Sequence, residues 1–219
     1  MPNGKPKLNV NTGREYFEAH ALEWDELRRS YYSDAVAEDV LRRAIDGKIL
    51  DVGCGTGFLL LRALDDKRFT KVYGVDFSHS MLERLKDEAW GKRSPSLRLA
   101  DANTRLPFPE KTFDSVVSNM FLHHLEYPAA GIYEMARVLR PGGRLVLADL
   151  REHAHEWFRD EMADRWLGFK EPDVREWMAD ANLDNVQIES NKECCVSISS
   201  KTGEPSAVEI FIAQGDKKP

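Results

Sequence analysis

Hydrophobic and polar positions follow two different periods along this chain of 219 residues. Across Tyr16–Ile45 the apolar side chains recur every three or four positions, as at Val36 and Val40, and this spacing predicts helices. Across Lys48–Leu150 short, β-rich apolar runs alternate with amphipathic segments. That alternation predicts a parallel sheet with helices on both of its faces.

Five strands and three helices are predicted within the alternating region. The strands are KILDVG, KVYGVDF, SLRLADA, DSVVSNM and GRLVLADL, and the helices are FLLLRAL, HSMLERLKDEAW and AAGIYEMARVL. Ser78 or Ser80 suits the N-cap of the second helix. The segment LPFPEKTFD is predicted to be a loop because Pro107 and Pro109 interrupt it.

The last part of the chain has a different pattern. Glu152–Ala181 is predicted to be helical, with aromatic residues such as Trp157 and Trp177 along it. The runs NVQIESNKECCVSISS and AVEIFIAQG then predict two strands, joined by the turn KTGEPS. We therefore expect a single domain, 1–219, with four parts: a helical cap over 1–46, a sheet core over 47–150, a helical segment over 151–181 and a β-hairpin over 182–215.

The composition narrows the classes of partner and compartment. The net charge of −6 argues against nucleic acid, since phosphate binding requires a basic patch. Apolar runs such as FLLL are far shorter than the ~20 residues of a bilayer-spanning helix, and the N-terminal stretch lacks the apolar core of a signal peptide. Three cysteines without Cys-x-x-Cys spacing indicate neither a disulfide framework nor a metal site. We expect a cytoplasmic monomer or homodimer with no membrane or nucleic-acid partner.

The run ILDVGCGTGFLLLRAL places Gly53, Gly55 and Gly57 between the first strand and the first helix of the alternating region. In a parallel α/β sheet, the loop at this position borders the ligand site. The dinucleotide fingerprint would need a third glycine where Phe58 stands, and no Gly-Lys-Ser/Thr of a phosphate loop follows. Asp51, just before the loop, would repel a pyrophosphate but suits a cationic ligand without phosphate, such as S-adenosylmethionine.

Polar residues end four successive strands of the predicted sheet, beginning with Asp51. Asp76 ends the second strand, where a carboxylate can accept hydrogen bonds from ribose hydroxyls. Asp101, with Ala102 beside it, ends the third strand and can accept the adenine amino group, and Asn119 ends the fourth. Asp76 and Asp101 could instead cap the turns that follow them. The coincidence of all four strand ends favours one cofactor site.

The runs ILDVGCGTG, VYGVDFSHSMLE, LADANTRLPFPEKTFDSVVSNMFLHHL and YEMARVLRPGGRLVLADL together resemble the class I S-adenosylmethionine-dependent methyltransferases. They span Lys48–Leu150 and are similar to the ubiquinone/menaquinone-biosynthesis group. HALEWDELRRSYY and HEWFRDEMADRWLGF also resemble the methyltransferase domains fused to ArsR-type repressors. The resemblance implies a Rossmann-like α/β fold, with a seven-stranded, mainly parallel sheet that ends in an antiparallel hairpin.

The resemblance also implies which residues hold S-adenosylmethionine. Asp76 would hold the ribose with Phe77 beside the adenine, and Arg28 would pair with the cofactor carboxylate. Arg28 could equally be a solvated helix residue. The complete expected set is Arg28, Asp51, Gly53, Cys54, Gly55, Thr56, Gly57, Asp76, Phe77, Met81, Asp101, Ala102, Asn119 and Met120.

Methyl transfer from a sulfonium relies on orientation and desolvation rather than on a nucleophile of the enzyme. A general base is needed only if the acceptor must lose a proton. His123 and His124, after the fourth strand, are the expected bases, although they could instead pack or cap a helix. The expected substrate-side residues are Tyr16, Trp24, Tyr31, His153 and Trp157, with core packing or a surface helix as the alternative.

Cys194 and Cys195 are adjacent on a predicted strand, so their side chains point to opposite faces and cannot easily clamp one soft metalloid ion. Packing is their expected role. The sequence therefore predicts a methyltransferase acting on a small molecule, and the resemblance implies an aromatic or quinone-like acceptor. Two alternatives stay open: a sensor that binds S-adenosylmethionine or S-adenosylhomocysteine without turnover, and a nicotinamide-dependent oxidoreductase.

Overall fold

The computed structural model describes residues 10–87 and 93–219, and side chains from residue 13 onward. Seven strands form one sheet in the order β3-β2-β1-β4-β5-β7-β6. Strands β1 to β5 pair in parallel, whereas β7 runs antiparallel to both β5 and β6. The prediction of a mainly parallel sheet that ends in an antiparallel hairpin is therefore confirmed.

The elements have the following bounds in chain order: α1 Val10–His20, α2 Trp24–Tyr31, α3 Ala35–Arg43, β1 Gly47–Val52, α4 Leu60–Asp65, β2 Phe69–Asp76, α5 His79–Lys86, β3 Ser96–Leu99, β4 Phe113–Asn119, α6 Pro128–Val138, β5 Leu139–Leu150, α7 Trp157–Glu161, α8 Glu171–Asp180, β6 Leu183–Ile198 and β7 Pro205–Lys217. A 3₁₀ turn, Leu122–His124, follows β4. The predicted continuation of α5 over 88–90 lies outside the described residues.

The sheet buries both of its faces. Ile49 and Leu50 are adjacent on β1, so they point to opposite sides. Ile49 packs in a cluster with Val36 of α3, and Leu50 packs in a second cluster with Ile132 of α6. Each of these side chains is at most 1% exposed, and a side chain of this size stabilises the fold by roughly 1.5–3 kcal/mol when it is fully buried.

One of the two predicted helical regions is interrupted in the structure. The helices predicted across Tyr16–Ile45 are present as α1, α2 and α3, whereas Glu152–Ala181 contains only the short α7 and α8. Between α7 and α8 the chain pairs with the end of β5, where Phe169 forms a parallel bridge with Arg151. Gly168 has φ +69°, and a Cβ there would lie 2.1 Å from the Arg151 carbonyl oxygen. Because Gly168 allows this close approach, the chain between α7 and α8 runs beside the end of β5, where the aromatic spacing had predicted a helix.

The first helix is held at the top of the sheet by α5. Ser78 is the N-cap of α5, as predicted, because its hydroxyl accepts a hydrogen bond from the Met81 backbone N–H at 3.2 Å. Glu18 of α1 accepts two more, from the N–H groups of His79 at 2.7 Å and Ser80 at 2.9 Å. These bonds satisfy donors that a helix start leaves unpaired. In the described ranges, no helix has both the length and the apolar character needed to cross a membrane.

Candidate active site

A cavity of about 580 Å³ opens above the carboxyl ends of β1, β2 and β4, and we call it the central cavity. Strand β1 lies between β2 and β4, so the order of the sheet reverses there. Parallel α/β sheets bind ligands at this point, because the loops that leave the two neighbouring strands diverge and open a crevice. The N-terminal helices cover the crevice, with Phe17, Trp24 and Arg28 among its lining residues.

The glycine loop forms the floor of the central cavity and is tied to the end of β2. The N–H groups of Gly53 and Cys54 both donate to the Val75 carbonyl oxygen, at 2.9 and 3.0 Å. Thr56 is tied to the cap, because its hydroxyl donates to Oδ1 of Asp25 at 2.6 Å. The loop is thereby fixed before any ligand arrives.

Gly55 and Gly57 have different roles in this loop. A Cβ at Gly55 would meet only Nε1 of Trp24, at 3.8 Å, so this glycine faces open space in the cavity. A Cβ at Gly57 would lie 2.5 Å from Leu85 and 3.0 Å from Leu61. Gly57 therefore allows close helix packing and does not line the central cavity, contrary to its expected place beside the ligand.

Two buried carboxyl groups face the central cavity. Asp51 is 4% exposed and Asp76 is 7% exposed. Burial, reinforced by the charge of Asp76, raises the pKa of Asp51 to about 8. Burial likewise raises the pKa of Asp76 to about 6, although N–H groups donating to its carboxylate act in the opposite direction. Two buried carboxyl groups with raised pKa values favour a cationic ligand, because a nearby positive charge would lower both pKa values.

Arg28 supplies the opposite charge in the lining of the same cavity. Its guanidinium lies 4.0 Å from the ring centroid of Phe58 and donates to the Tyr32 carbonyl oxygen at 3.3 Å. The carboxylate of Asp34 is 3.4 Å from Nη2 of Arg28 but only 2.6 Å from Arg62, which is the closer partner. Nε of Arg28 is buried and has no hydrogen-bond partner among the described residues. A ligand carboxylate would satisfy this cation.

The end of β4 adds an unsatisfied acceptor. Nδ2 of Asn119 donates to the Tyr32 hydroxyl at 3.0 Å, whereas Oδ1 of Asn119 is buried and no side chain or backbone group in the described part of the chain pairs with it. Met120, the next residue, has φ +51°, which is strained for a residue with a side chain. Strained backbone of this kind clusters at functional sites, and both residues line the central cavity.

A smaller cavity of about 330 Å³ continues towards the end of β3, and we call it the β3-side cavity. Asp101 and Ala102 line it, together with Asp76 and Phe77, which it shares with the central cavity. Oδ1 of Asp101 accepts hydrogen bonds from both the backbone and the side chain of Asn103, at 2.9 and 3.0 Å. Asp101 therefore does stabilise the following turn, and it also faces the cavity.

A third cavity, of about 410 Å³, lies between the N-terminal helices and α7, and we call it the α7-side cavity. It adjoins the central cavity, because five residues line both: Trp24, Arg28, Tyr32, Met120 and His124. Tyr16, Tyr31 and Asp164 are among the residues that line only the α7-side cavity. The two cavities therefore meet at one shared wall.

His123 is fixed by an aspartate at the end of β5. Nδ1 of His123 lies 2.7 Å from Oδ1 of Asp149, whose Oδ2 accepts the Leu122 N–H at 2.8 Å. Burial opposes protonation, but the charges of Asp149 and then Asp164 outweigh it and raise the pKa of His123 to about 9. His123 is consequently protonated at neutral pH, so it is not available there as a general base.

His124 has the opposite character. Burial, and then the charge of His123, lower its pKa well below the usual value, so the ring is neutral. Nδ1 of His124 lies 3.2 Å from the carbonyl oxygen of Ala163, to which it donates, and this leaves Nε2 as a hydrogen-bond acceptor. His124 lines all three cavities. Of the two expected bases, the structure favours His124.

The structure brings most of the expected residues together. Eleven of the fourteen expected cofactor-binding residues line the central cavity, and two more, Asp101 and Ala102, line the β3-side cavity, so that Gly57 is the one expected residue that lines neither. Tyr16, Trp24 and Tyr31 line the α7-side cavity as expected. His153 and Trp157 line none of the three; their rings pack at a tilt against Phe158, which does line the α7-side cavity, with ring centroids 4.7 and 4.4 Å apart.

The residues of the site that the sequence analysis missed include Tyr32, Asp149 and Asp164. Tyr32 reads as part of a helical pattern, and Asp164 lies in the segment predicted to be helical. Asp149 could have been found, because the rule applied to the ends of β1 to β4 also applies to the run LVLADL at the end of β5. Cys195 is buried and lines the α7-side cavity, whereas Cys194 is exposed, which confirms their opposite orientations.

Comparison with known proteins matches residues 50–147 to a family described as "Methyltransferase domain". The chain is 37% identical over 145 residues to the phosphatidylethanolamine N-methyltransferase of Cereibacter sphaeroides, covering 58% of this chain and 70% of that protein. It is 32% identical over 168 residues to the demethylmenaquinone methyltransferase of Leptospira interrogans, covering 70% of this chain and 67% of that protein.

Solved structures share the fold. A chain of the Haloferax volcanii complex between the Trm112 methyltransferase activator and a methyltransferase matches with a TM-score of 0.74 at 19% identity. The match covers 93% of this chain and 98% of that one. At this level of identity the likeness concerns the fold alone, and the site has to be interpreted from its own side chains.

Proposed function

The chain belongs to the methyltransferase domain family, and on that premise we propose that it transfers the methyl group of S-adenosylmethionine to a small-molecule acceptor. The single observation that carries the proposal is the presence of opposite charges in the lining of the central cavity. Arg28 and the carboxyl groups of Asp51 and Asp76 all line it. A ligand that combines a carboxylate with cationic centres fits this arrangement.

The side chains fit S-adenosylmethionine part by part. Arg28 would hold its carboxylate, since Nε of Arg28 is a buried donor without a partner. Oδ1 of Asn119, a buried acceptor without a partner, and Asp51 would face its cationic end. Asp76 would accept from the ribose, and Asp101 in the β3-side cavity would accept from the adenine.

The bound cofactor supplies an activated methyl group on a sulfonium, so the protein's contribution is positioning and exclusion of water. The α7-side cavity supports a small acceptor, because it is a space of about 410 Å³ that shares lining residues with the central cavity. His124 forms part of the wall between the two and has an unprotonated Nε2. It would take a proton from an acceptor that must lose one.

Calorimetric titration of the purified protein with S-adenosylmethionine, S-adenosylhomocysteine and NADH tests the cofactor. We expect micromolar binding of the first two and none of NADH. Binding of NADH alone would contradict the proposal and favour an oxidoreductase. Turnover is then measured as S-adenosylhomocysteine released in the presence of small-molecule acceptors, with His124→Ala as a comparison. Tight binding without release across a broad panel would instead indicate a sensor.

A further inference from the structure

We propose that the acceptor is a small amine, which binds as an ammonium ion in the α7-side cavity with its nitrogen on Oδ2 of Asp164. This inference rests on the proposed function and names the substrate class of the same site. The observations that carry it are an unpartnered buried carboxylate oxygen, the balance of charges around it and the aromatic walls of the cavity.

Asp164 is 1% exposed, and among the described residues its Oδ2 has no hydrogen-bond partner. Its Oδ1 is 3.7 Å from Nε2 of His123 and 4.0 Å from Nδ1 of His124, which is too long for hydrogen bonds. Asp164 follows Ala163, a residue at φ +59°, which turns the chain out of α7. A buried carboxylate left in this state is destabilised unless a ligand completes its hydrogen bonds.

The charges around Asp164 leave a place for one cation. Asp149 and Asp164 contribute two carboxyl groups, and protonated His123 contributes one positive charge. The further cation acting on Asp164 is Arg159, which is paired with Glu156 at 2.9 Å. Burial raises the pKa of Asp164 to about 7, so an incoming ammonium ion would favour its ionised form.

The walls of the cavity suit an ammonium ion better than an anion. Tyr16, Tyr31 and Phe158 line it, and aromatic faces attract cations. Burial raises the pKa of both tyrosines, so their hydroxyls are neutral. Among the described residues that line the α7-side cavity, the basic side chains are His123, His124 and Arg28. Arg28 also lines the central cavity. An acceptor bearing a phosphate or carboxylate would have to compete with Asp149 for protonated His123, or with the cofactor for Arg28.

Asp164 also accounts for the proton that an amine must lose. The proton passes from the ammonium nitrogen to Oδ2 of Asp164, which exposes the nitrogen lone pair. That lone pair forms the new N–C bond while the methyl–sulfur bond breaks and leaves its electron pair on sulfur. The product is a methylated ammonium ion, and the proton on Asp164 is released to solvent.

The test uses three probes of the same shape and different charge: phenethylamine, phenylethanol and phenylacetate. Binding of each to the full chain is measured by ligand-observed NMR with S-adenosylhomocysteine present. We expect phenethylamine to bind about tenfold or more tightly than phenylethanol, the effect of one charge-assisted hydrogen bond, and phenylacetate to bind least. Equal binding of the three, tighter binding of the alcohol, or no binding of any probe would overturn the proposal.

Asp164→Asn removes the charge with little change of shape and should abolish the preference for the amine. The matched control is Asp160→Asn, which makes the same change at a side chain that is 72% exposed, and it should leave the preference intact. If Asp164→Asn does not fold, the order of the three probes on the unmodified protein still decides the matter. A preference retained in folded Asp164→Asn would refute the role of Asp164.

Two further outcomes are separable. His123, His124 and Asp164 offer atoms that could ligate a metal ion, and these atoms lie within 4.8 Å of one another. The binding measurement with the three probes is therefore repeated in the presence of EDTA. A preference that EDTA removes would assign the three residues to a metal ion and overturn the amine assignment. The affinity for S-adenosylhomocysteine is measured in the same samples. If S-adenosylhomocysteine does not bind, the proposed function is wrong. If it binds but the amine is not preferred, only the present inference is wrong.

Discussion

The backbone N–H of Gly55 donates a hydrogen bond of 2.8 Å to Oδ2 of Asp76. Oδ1 of the same carboxylate accepts from the Ser78 N–H at 2.9 Å. Asp76 thus joins the glycine loop after β1 to the start of α5 after β2. One side chain that ends a strand therefore both orients the loop and faces the ligand, and its removal should affect both.

Replacement of Asp76 by alanine should weaken S-adenosylmethionine binding by about 1–3 kcal/mol, or roughly 5- to 150-fold. The loss combines the ribose contact with the loop's fixed conformation. Calorimetry measures the affinity, and Asp65→Ala, at an exposed position on α4, is the control. Unchanged affinity in a folded Asp76→Ala protein would refute the ribose assignment.

Gly55→Ala and Gly57→Ala should separate ligand binding from packing. A Cβ at Gly55 enters open cavity, so we expect a folded protein with at least about tenfold weaker cofactor binding and a stability loss of about 1 kcal/mol from the positive φ. A Cβ at Gly57 overlaps Leu85 and should cost about 1–3 kcal/mol more. Urea unfolding measures the stability of the two variants, and calorimetry measures their cofactor affinity. If both variants lost stability and affinity equally, the different roles assigned to Gly55 and Gly57 would be contradicted.

Arg28→Met should discriminate between two ligands that differ only in the amino-acid part. S-adenosylhomocysteine carries the carboxylate that Arg28 would hold, whereas methylthioadenosine lacks it. We expect affinity for the former to fall by about 1.5–3 kcal/mol, the usual worth of a hydrogen bond to a charged group, and affinity for the latter to stay unchanged. Parallel losses for both ligands would show that Arg28 supports the cavity wall rather than the ligand.

Cofactor binding at pH 7 should release protons. The pKa of Asp51 is raised to about 8 in the ligand-free protein, so its carboxyl group is largely protonated at pH 7. A cation alongside lowers that pKa, the proton leaves, and affinity should rise with pH until about pH 8. Calorimetry in buffers of different ionisation enthalpy measures the release. Asp51→Asn should release fewer protons, and an identical count would show that another group titrates.

The His123–Asp149 pair should stabilise the fold in a pH-dependent way. Because the pKa of His123 is raised to about 9, its charge contributes fully below its unfolded pKa and is lost as the pH rises through about 9. Asp149→Asn leaves a buried cation unpaired and should cost about 3–5 kcal/mol near pH 6. Urea unfolding should show that the difference in the free energy of unfolding between the unmodified protein and Asp149→Asn is smaller at pH 10 than near pH 6. A difference that does not change with pH would indicate that only neutral hydrogen bonds are lost.

Strand ends explain why much of the central cavity could be predicted. Asp51, Asp76 and Asn119 follow apolar runs that can only be buried strands, and parallel strands bring their carboxyl ends to one edge of a sheet. The glycines between β1 and α4 marked the loop for the same local reason. These positions depend on periodicity and on the direction of the chain, both of which are present in the sequence.

The α7-side cavity depends on contacts that the sequence does not encode locally. Asp164 reaches the site because Gly168 lets the chain approach β5, and a helical spacing of aromatic residues had indicated otherwise. His123 and His124 are adjacent in sequence, yet Asp149 raises the pKa of one while burial lowers that of the other. The residues of the central cavity could therefore be predicted from their positions along the chain. The properties of the α7-side cavity depend on burial and on charges from distant parts of the chain, and both arise only when the chain packs.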